Sequence, residues 1–313
     1  MTIPPRSGRS SSCGGCGISK HETERPAAAG REEERPVDVR YIRMNPSGNI
    51  TCLVLSPVAA KDRPRITAAL MEQCEQVGYL TAAADPRAAA RLQMMGGEFC
   101  GNASMATAAY LASREERAGE KPRKEAREML LEVSGAGGPI WCRVCREETG
   151  WQGMADMPLP LDIREAALQG HRLKAVIFPG MVHLIREGKP LSREEAETLV
   201  QTAGERFQSP AAGLMQWERT GGGSDEISGT MSPLVWVRDS GTLVWENACG
   251  SGTSAIAAAE TAGRGGPLRV CLKQPGGILR AETEYREGKL KRILLSGRIT
   301  MEQERVLRMG EES

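Results

Sequence analysis

Two stretches of the chain put a cysteine at the same point of the same local pattern. They are Cys100-Gly101-Asn102-Ala103-Ser104 and Cys249-Gly250-Ser251-Gly252-Thr253. Aligned without gaps, both run on into small residues, with Ala106, Ala108 and Ala109 matching Ala255, Ala257 and Ala258, and Ser104 facing Thr253. Positions 100 and 249 stand 149 residues apart, as expected of a duplicated unit. Each segment reads as a turn feeding a helix that is apolar on nearly every face, and such a helix is buried all round. A cysteine at its start lies where the macrodipole and the unpaired first-turn N–H groups favour an anion. That setting lowers a thiol pKa and also offers a seat for a carboxylate. Two such starts facing each other would form one anion-binding cleft with a thiol on either side, an arrangement for acid/base work on a bound carbon.

The elements that must position these thiols follow from the pattern around them. Strands are expected at Val39–Met44, Thr51–Leu55, Met129–Val133, Ala175–Phe178, Val182–Arg186, Pro233–Val237, Arg269–Leu272 and Ile293–Ser296. Helices are expected near Arg63–Gln76 and near Arg193–Thr202, the latter opened by Ser192 with Glu195 three residues on. The result is an α/β or α+β protein, rich in strand. Gly221-Gly222-Gly223-Ser224 reads as a mobile loop or hairpin tip, since it lacks the Lys-Ser/Thr of a phosphate-binding loop. Cys142-Arg-Val-Cys145 reads as strand, whose i and i+3 side chains point to opposite faces, so one metal is not expected to bridge them.

Composition narrows the function classes. The chain has 313 residues, 40% of them apolar, enough for a real core. Its 41 basic and 40 acidic side chains nearly cancel, and aromatics are few (Phe 3, Tyr 4, Trp 5), so neither a polyanion-binding field nor stacking platforms for bases are expected. No nucleic-acid or membrane partner is expected, and the absence of a long apolar run or secretion signal points to the cytoplasm. Nine cysteines in a chain of this size should be mostly reduced thiols. Residues 1–37 read as a disordered extension, Ser-, Gly-, Pro-, Arg- and Glu-rich. Within it Cys13 and Cys16 have half-zinc-site spacing, with His21 nearby but no second pair.

Taken together, the motifs resemble the diaminopimelate epimerase superfamily, which includes cofactor-independent amino-acid racemases. Besides the two cysteine segments, Met44-Asn45-Pro46-Ser47-Gly48-Asn49 looks like that family's substrate loop. Pro179-Gly180-Met181-Val182-His183 looks like its Gly-Asn-Pro-His segment. The resemblance spans Asp38 to Arg305. It implies two pseudo-symmetric lobes, each a curved, mostly antiparallel sheet around a buried central helix. Residues 38–157 would carry Cys100, residues 158–290 Cys249, and the 291–313 strand and tail would return to the first lobe. It further implies Cys100 and Cys249 as the acid/base pair, Asn49 on the substrate, the amides of Gly101, Asn102, Gly250 and Ser251 on its carboxylate, and His183 beside the reacting centre. No cofactor and no metal are implied, the partner is a small amino-acid substrate, and a homodimer is allowed.

The departures concern the substrate. Met181 stands where diaminopimelate epimerases have an Asn, and Met94-Met95-Gly96-Gly97-Glu98 replaces another. Methionine cannot pair with a distal carboxylate or ammonium, so burying that group here would cost several kcal/mol. The forms Gly96-Gly97-Glu98-Phe99-Cys100-Gly101-Asn102 and Trp245-Glu246-Asn247-Ala248-Cys249 look closer to the histidine racemases of opine-metallophore synthesis. Glu75, Glu98 or Glu246 could then meet an imidazole, with Thr253 a further accessory. Glu98 and Glu246 could equally cap their helices. The rival readings are diaminopimelate epimerase, a phenazine-biosynthesis-type isomerase, which lacks the paired thiols, or a non-catalytic ligand- or metal-binding module using the thiols and His183.

Overall fold

A computed structural model describes residues 37–117 and 125–309, so the extension read over residues 1–37, with Cys13, Cys16 and His21, lies outside the described residues except for Val37. The chain begins with β1 (Val37–Pro46), β2 (Thr51–Val54), α1 (Arg63–Met71), β3 (Gln76–Thr81), β4 (Ala88–Met94), α2 (Gly101–Arg117), β5 (Arg127–Val133), β6 (Ile140–Glu147) and β7 (Gly150–Asp156). It continues with β8 (Asp162–Leu168), β9 (His171–Phe178), β10 (Met181–Glu187), α3 (Arg193–Arg206), β11 (Ala211–Gly222), β12 (Glu226–Val237) and β13 (Thr242–Trp245). Last come α4 (Gly250–Arg264), β14 (Arg269–Gln274), β15 (Gly277–Arg286) and β16 (Lys289–Met309). Among the described residues this is a mixed α/β fold of four α-helices on one 16-stranded sheet. No helix there is long and apolar enough to cross a membrane.

The 21-residue β16 organises the sheet. Its first part pairs with β15, its middle with β7 and its last part with β1, all antiparallel. Because β1 also pairs with β2, strands β1 to β7 together with β16 close into a ring. The helix α2 packs on β1, β5, β6, β7 and β16 of that ring. On the other side of β16 the order runs β15, β14, β12, β11, β10, β9, β8, with β13 attached to β12, and α4 packs on β9, β10, β11, β14, β15 and β16.

Local sequence accounts for most of these elements. Ser192 and Glu195 form a reciprocal capping box, each side chain bonding the other's backbone N–H, so α3 starts where the spacing predicts. The β7 strand alternates, with Trp151, Gly153 and Ala155 turned into the core. The Gly-rich segment is a hairpin tip, β11 ending at Gly222 and Gly223 donating to the Glu226 carbonyl. Cys142 is buried and Cys145 half-buried on β6, as a strand requires. The first helix is shorter than its composition suggests. It stops at Met71, because Gln76 is drawn into parallel pairing with Thr51 at the start of β3.

The Ala-rich helices are buried over their first turns, Gly101–Tyr110 wholly and Gly250–Ala259 except for Ser251. Their small side chains let both helix starts reach the same buried residue, Leu295 on β16. A Cβ on Gly101 would lie 2.9 Å from Leu295 Cδ2, and one on Gly250 would lie 2.7 Å from it. Truncating Leu295 opens a void under both helix starts. Leu295→Ala is expected to lower stability by about 2–5 kcal/mol, read from urea midpoints; a loss below about 1 kcal/mol would mean the helix starts do not depend on this contact.

Candidate active site

Each cysteine immediately precedes its helix and folds back onto it in the same way. Cys249 is the extended N-cap of α4, with φ −107° and ψ 108°. The third amide along donates to each sulfur, Ala103 N to Cys100 Sγ at 3.4 Å and Gly252 N to Cys249 Sγ at 3.3 Å. Ser104 Oγ and Thr253 Oγ1 donate to the Cys100 and Cys249 carbonyls, each at 2.8 Å. The repeat seen in sequence is therefore repeated in hydrogen bonds. Thr253 also accepts from Gln274 Nε2 at 3.0 Å, and Gln274 Oε1 accepts from the Cys249 amide at 2.7 Å, so Thr253 braces the Cys249 backbone.

The two starts converge. Asn102 Nδ2 donates to the Ala248 carbonyl at 3.2 Å, tying the residue just before the second thiol to the helix behind the first. Gly101, Asn102, Gly250 and Ser251 belong to first helical turns, where N–H groups have no intrahelical acceptor. Ser251 Oγ lies 3.5 Å from Cys249 Sγ and donates to Met181 Sδ at 3.8 Å. Both thiols are free.

Beside Cys100 lies an amide network that begins in the Ser47–Gly48 turn. Asn49 Nδ2 donates to Glu75 Oε2 at 3.2 Å, and Asn49 Oδ1 accepts from Gln76 Nε2, which also donates to Thr51 Oγ1 at 2.8 Å. Gln76 Oε1 then accepts from Cys100 Sγ at 3.2 Å. The other Glu75 oxygen accepts from Asn247 Nδ2 at 2.5 Å, so Glu75 reaches from the Cys100 side to the residue two before Cys249. Sequence reasoning did not single out Gln76, Asn247 or Gln274. Asn247 stands within the segment leading to Cys249, but nothing local gives it a role; no motif marks Gln76 or Gln274, which the register of β2 on β3 and the end of β14 bring to the thiols.

Electrostatics departs from expectation at the sulfurs. The helix starts were expected to lower the thiol pKa, but burial wins. It pushes Cys100 up to about 12 against the bonds to the Ala103 amide and the Gln76 side chain, with the charges of Glu98 and Glu246 adding. Burial likewise pushes Cys249 well above the usual thiol value, and the charge of Glu246 adds. One N–H group at each sulfur does not replace the water a thiolate loses. Glu246 is itself raised to about 7 by burial, against its bond to Cys249 and with the charge of Glu75 adding, and its Oε2 is buried with no hydrogen-bond partner among the described residues. Glu75 is raised by burial against the bonds from Asn247 and Asn49. Glu98 is exposed, so water offsets much of the crowding that raises its carboxyl. Neither Glu98 nor Glu246 is the N-cap of its helix; at α4 that place belongs to Cys249.

His183 lies on β10 with none of its surface exposed, and burial holds it down to about 3, so its imidazole is neutral at ordinary pH. Both ring nitrogens lack a hydrogen-bond partner among the described residues. Phe178 meets the ring edge-on at 6.0 Å. Met215 stands between His183 and the α4 start, because a Cβ on Gly213 would meet both His183 and Met215, and one on Gly252 would meet the Met215 sulfur. Among the described residues no three His, Cys, Asp or Glu side chains gather as a metal site requires.

The family model described as the histidine racemase CntK N-terminal domain matches residues 38–304. A histidine racemase of Fusobacterium nucleatum subsp. nucleatum is 32% identical over 226 residues, covering 69% of this chain and 78% of that protein. Among solved structures, a hydroxyproline epimerase from Agrobacterium vitis with bound trans-4-hydroxy-L-proline superposes with a TM-score of 0.60 at 14% identity, covering 87% of this chain and 93% of that one. A PhzF-family phenazine biosynthesis protein of Bacillus anthracis gives 0.61 at 12% identity, covering 87% and 99%. At these identities the two structures speak to the fold alone.

Glu246 gives this site a pH signature. An acid whose pKa rises on folding contributes stability that is whole below its ordinary 4.5 and is lost as pH climbs through about 7. Glu246→Gln removes that loss. The variant is expected to exceed the parent by up to about 3 kcal/mol in urea unfolding at mildly alkaline pH and to gain little in mild acid. An equal gain at both pH values would contradict a carboxyl held protonated by burial.

Proposed function

Since the chain belongs to the histidine racemase CntK family, we propose that it interconverts L- and D-histidine, with Cys100 and Cys249 as the two acid/base groups. The observation that carries this reading is the convergence of two matching cysteine-led helix starts on Leu295, joined by the bond from Asn102 to Ala248. The two halves are read as pseudo-symmetric lobes sharing β16, the first around α2 and the second around α4. Their boundary is placed between β7 and β8, near Pro158–Leu161.

The substrate carboxylate sits on the first-turn amides of Gly101, Asn102, Gly250 and Ser251, the place where two helix dipoles add. Its α-carbon then lies between the sulfurs. One sulfur, as thiolate, takes the α-proton from one face, while the other, as thiol, delivers a proton to the opposite face. The C–H bond that breaks leaves its electron pair on the carbon and carboxylate, and the incoming proton consumes that pair, so no net redox change occurs. Charge that grows on the carboxylate in the transition state is met by N–H groups already in position.

The raised thiol pKa values suit this task. An amino-acid α-hydrogen is a very weak acid, and a thiolate of higher pKa is the stronger base. The cost is a small resting population of thiolate, which the amides at each sulfur partly offset. Glu246 beside the thiols, with Glu75 next to it, supplies carboxylates for an imidazole N–H, whereas Met181 beside Ser251 offers a thioether and no charge.

Proton NMR in deuterium oxide tests this directly. With L-histidine among a panel of L-amino acids, the histidine α-proton signal should disappear as the D-enantiomer forms. Cys100→Ala and Cys249→Ala should each lower racemisation by about 10²–10⁴-fold or more while the protein stays folded. If no amino acid exchanges while both thiols titrate as free, the racemase assignment fails.

A further inference from the structure

Two cysteines that the proposed reaction does not use lie against each other. Cys52 sits on β2, in register with Arg43 of β1 on one side and Val77 of β3 on the other. Cys74 sits in the link between α1, which ends at Met71, and β3, which begins at Gln76. Both belong to the small core under α1 that also holds Ile66, Leu70 and Val77. Leu53, the residue after Cys52, belongs instead to the core that α2 and Cys249 share, so Cys52 and Cys74 occupy the other face of β2. Their side chains are hydrogen-bonded to each other, and Cys74 Sγ in turn donates to the Leu70 carbonyl at 3.1 Å. Both thiols are free.

The two are not equivalent. Cys52 has none of its surface exposed and is held in a strand paired on both edges, whereas Cys74 lies outside the strands and keeps 8% of its surface in solvent. Their mutual bond, burial and the charge of Cys74 push the Cys52 thiol far up, with Glu302 adding and Arg43 opposing. The same bond holds Cys74 below the usual thiol value against its burial, helped by the backbone N–H groups of Cys52 and Gln76 and by the charge of Arg43. Arg43 is fixed in that place, its Nε donating to the Gln73 carbonyl at 2.9 Å and its Nη1 to Glu302 at 2.5 Å. A thiol that gives up its proton readily, reaches solvent and touches a second thiol is the arrangement of a redox-sensitive pair.

We propose that Cys52 and Cys74 are a redox modification site that closes to a reversible disulfide when the protein meets a peroxide, with Cys74 reacting first and Cys52 completing the bridge. The Cys74 sulfur attacks one peroxide oxygen, the O–O bond breaks, and the leaving hydroxide takes up the Cys74 proton as water. Cys74 is then a sulfenic acid. The Cys52 sulfur attacks the Cys74 sulfur, the S–O bond breaks, and the departing hydroxide takes the proton that Cys52 had kept. Two thiols have together lost two electrons, and one peroxide has become two waters. A dithiol reductant reverses the bridge by thiol–disulfide exchange. Sulfurs already in contact can be bridged, whereas cysteines held apart cannot. Glu75 and Gln76 follow Cys74 directly, so the bridge forms at the foot of the segment that reaches Asn49 and Cys100.

Peptide mapping reads the bridge. Full-length reduced protein is treated with equimolar hydrogen peroxide, the remaining thiols are blocked with iodoacetamide in denaturant, and trypsin, which cleaves after Lys61 and Arg65, separates the two cysteines. The Cys52 and Cys74 peptides should run as one cross-linked species that dithiothreitol splits, while the half-buried Cys145 and Cys271 remain largely alkylated. Cys52→Ala should stop at a Cys74 sulfenic acid, trapped with dimedone, and Cys74→Ala should leave Cys52 an unmodified thiol. Parent protein that shows no such cross-link by the dose at which its other cysteines have oxidised overturns the proposal. So does cross-linking scattered among all the cysteines, or a sulfenic acid on Cys52 in Cys74→Ala. The parent arm needs no variant to fold. No amino acid and no turnover enter the measurement, so it stands apart from the exchange experiment: an inactive chain can still form the bridge, and an active racemase can lack it.

Discussion

Two helices can bring their first turns against one leucine only where neither carries a side chain at the contact. Gly101 and Gly250 meet that condition at Leu295, where an added Cβ on either would come within 3 Å of the leucine side chain. Much else in the molecule follows from this close approach. The alanines behind each glycine keep the first turns of α2 and α4 thin enough to be buried, and β16 packs on both helices and carries Leu295. The cysteines sit one residue before the glycines, so bringing the glycines together also brings the thiols to the same region.

That region sets two opposing influences on each sulfur. Helix starts favour anions, and here two are concentrated in one place. The same convergence that gathers them excludes water, and desolvation is the larger influence, displacing Cys100 and Cys249 upward. Glu246, buried with an unpartnered oxygen, belongs to the same balance, since any charge it carries raises the neighbouring thiols further. The site thus holds protons on all three groups more tightly than water would.

What was legible in the sequence had a local cause. The Ser192 cap and Glu195, the Gly-rich hairpin tip, the strand through Cys142 and Cys145, and the paired Cys-Gly segments are all decided within a few residues. The early end of α1 and the amides of Gln76, Asn247 and Gln274 were not legible, because each is decided by a partner distant in the chain. The sense of the thiol displacement was missed for a related reason. A helix start is visible in a sequence, but the depth at which it is buried is a property of everything packed around it.

The three pairings of β16 also bear on how the chain can be assembled. The ring around α2 needs eight strands, and seven of them precede residue 157, yet the eighth is the last strand in chain order. During synthesis the first half therefore emerges with β1 and β7 as open edges, each exposing unpaired backbone groups, and stays so until β16 has been made. Neither thiol can reach its working surroundings before that moment. A ribosome that stops short of residue 289 leaves behind a chain with both cysteines, every first-turn amide and no closed wall to hold them together.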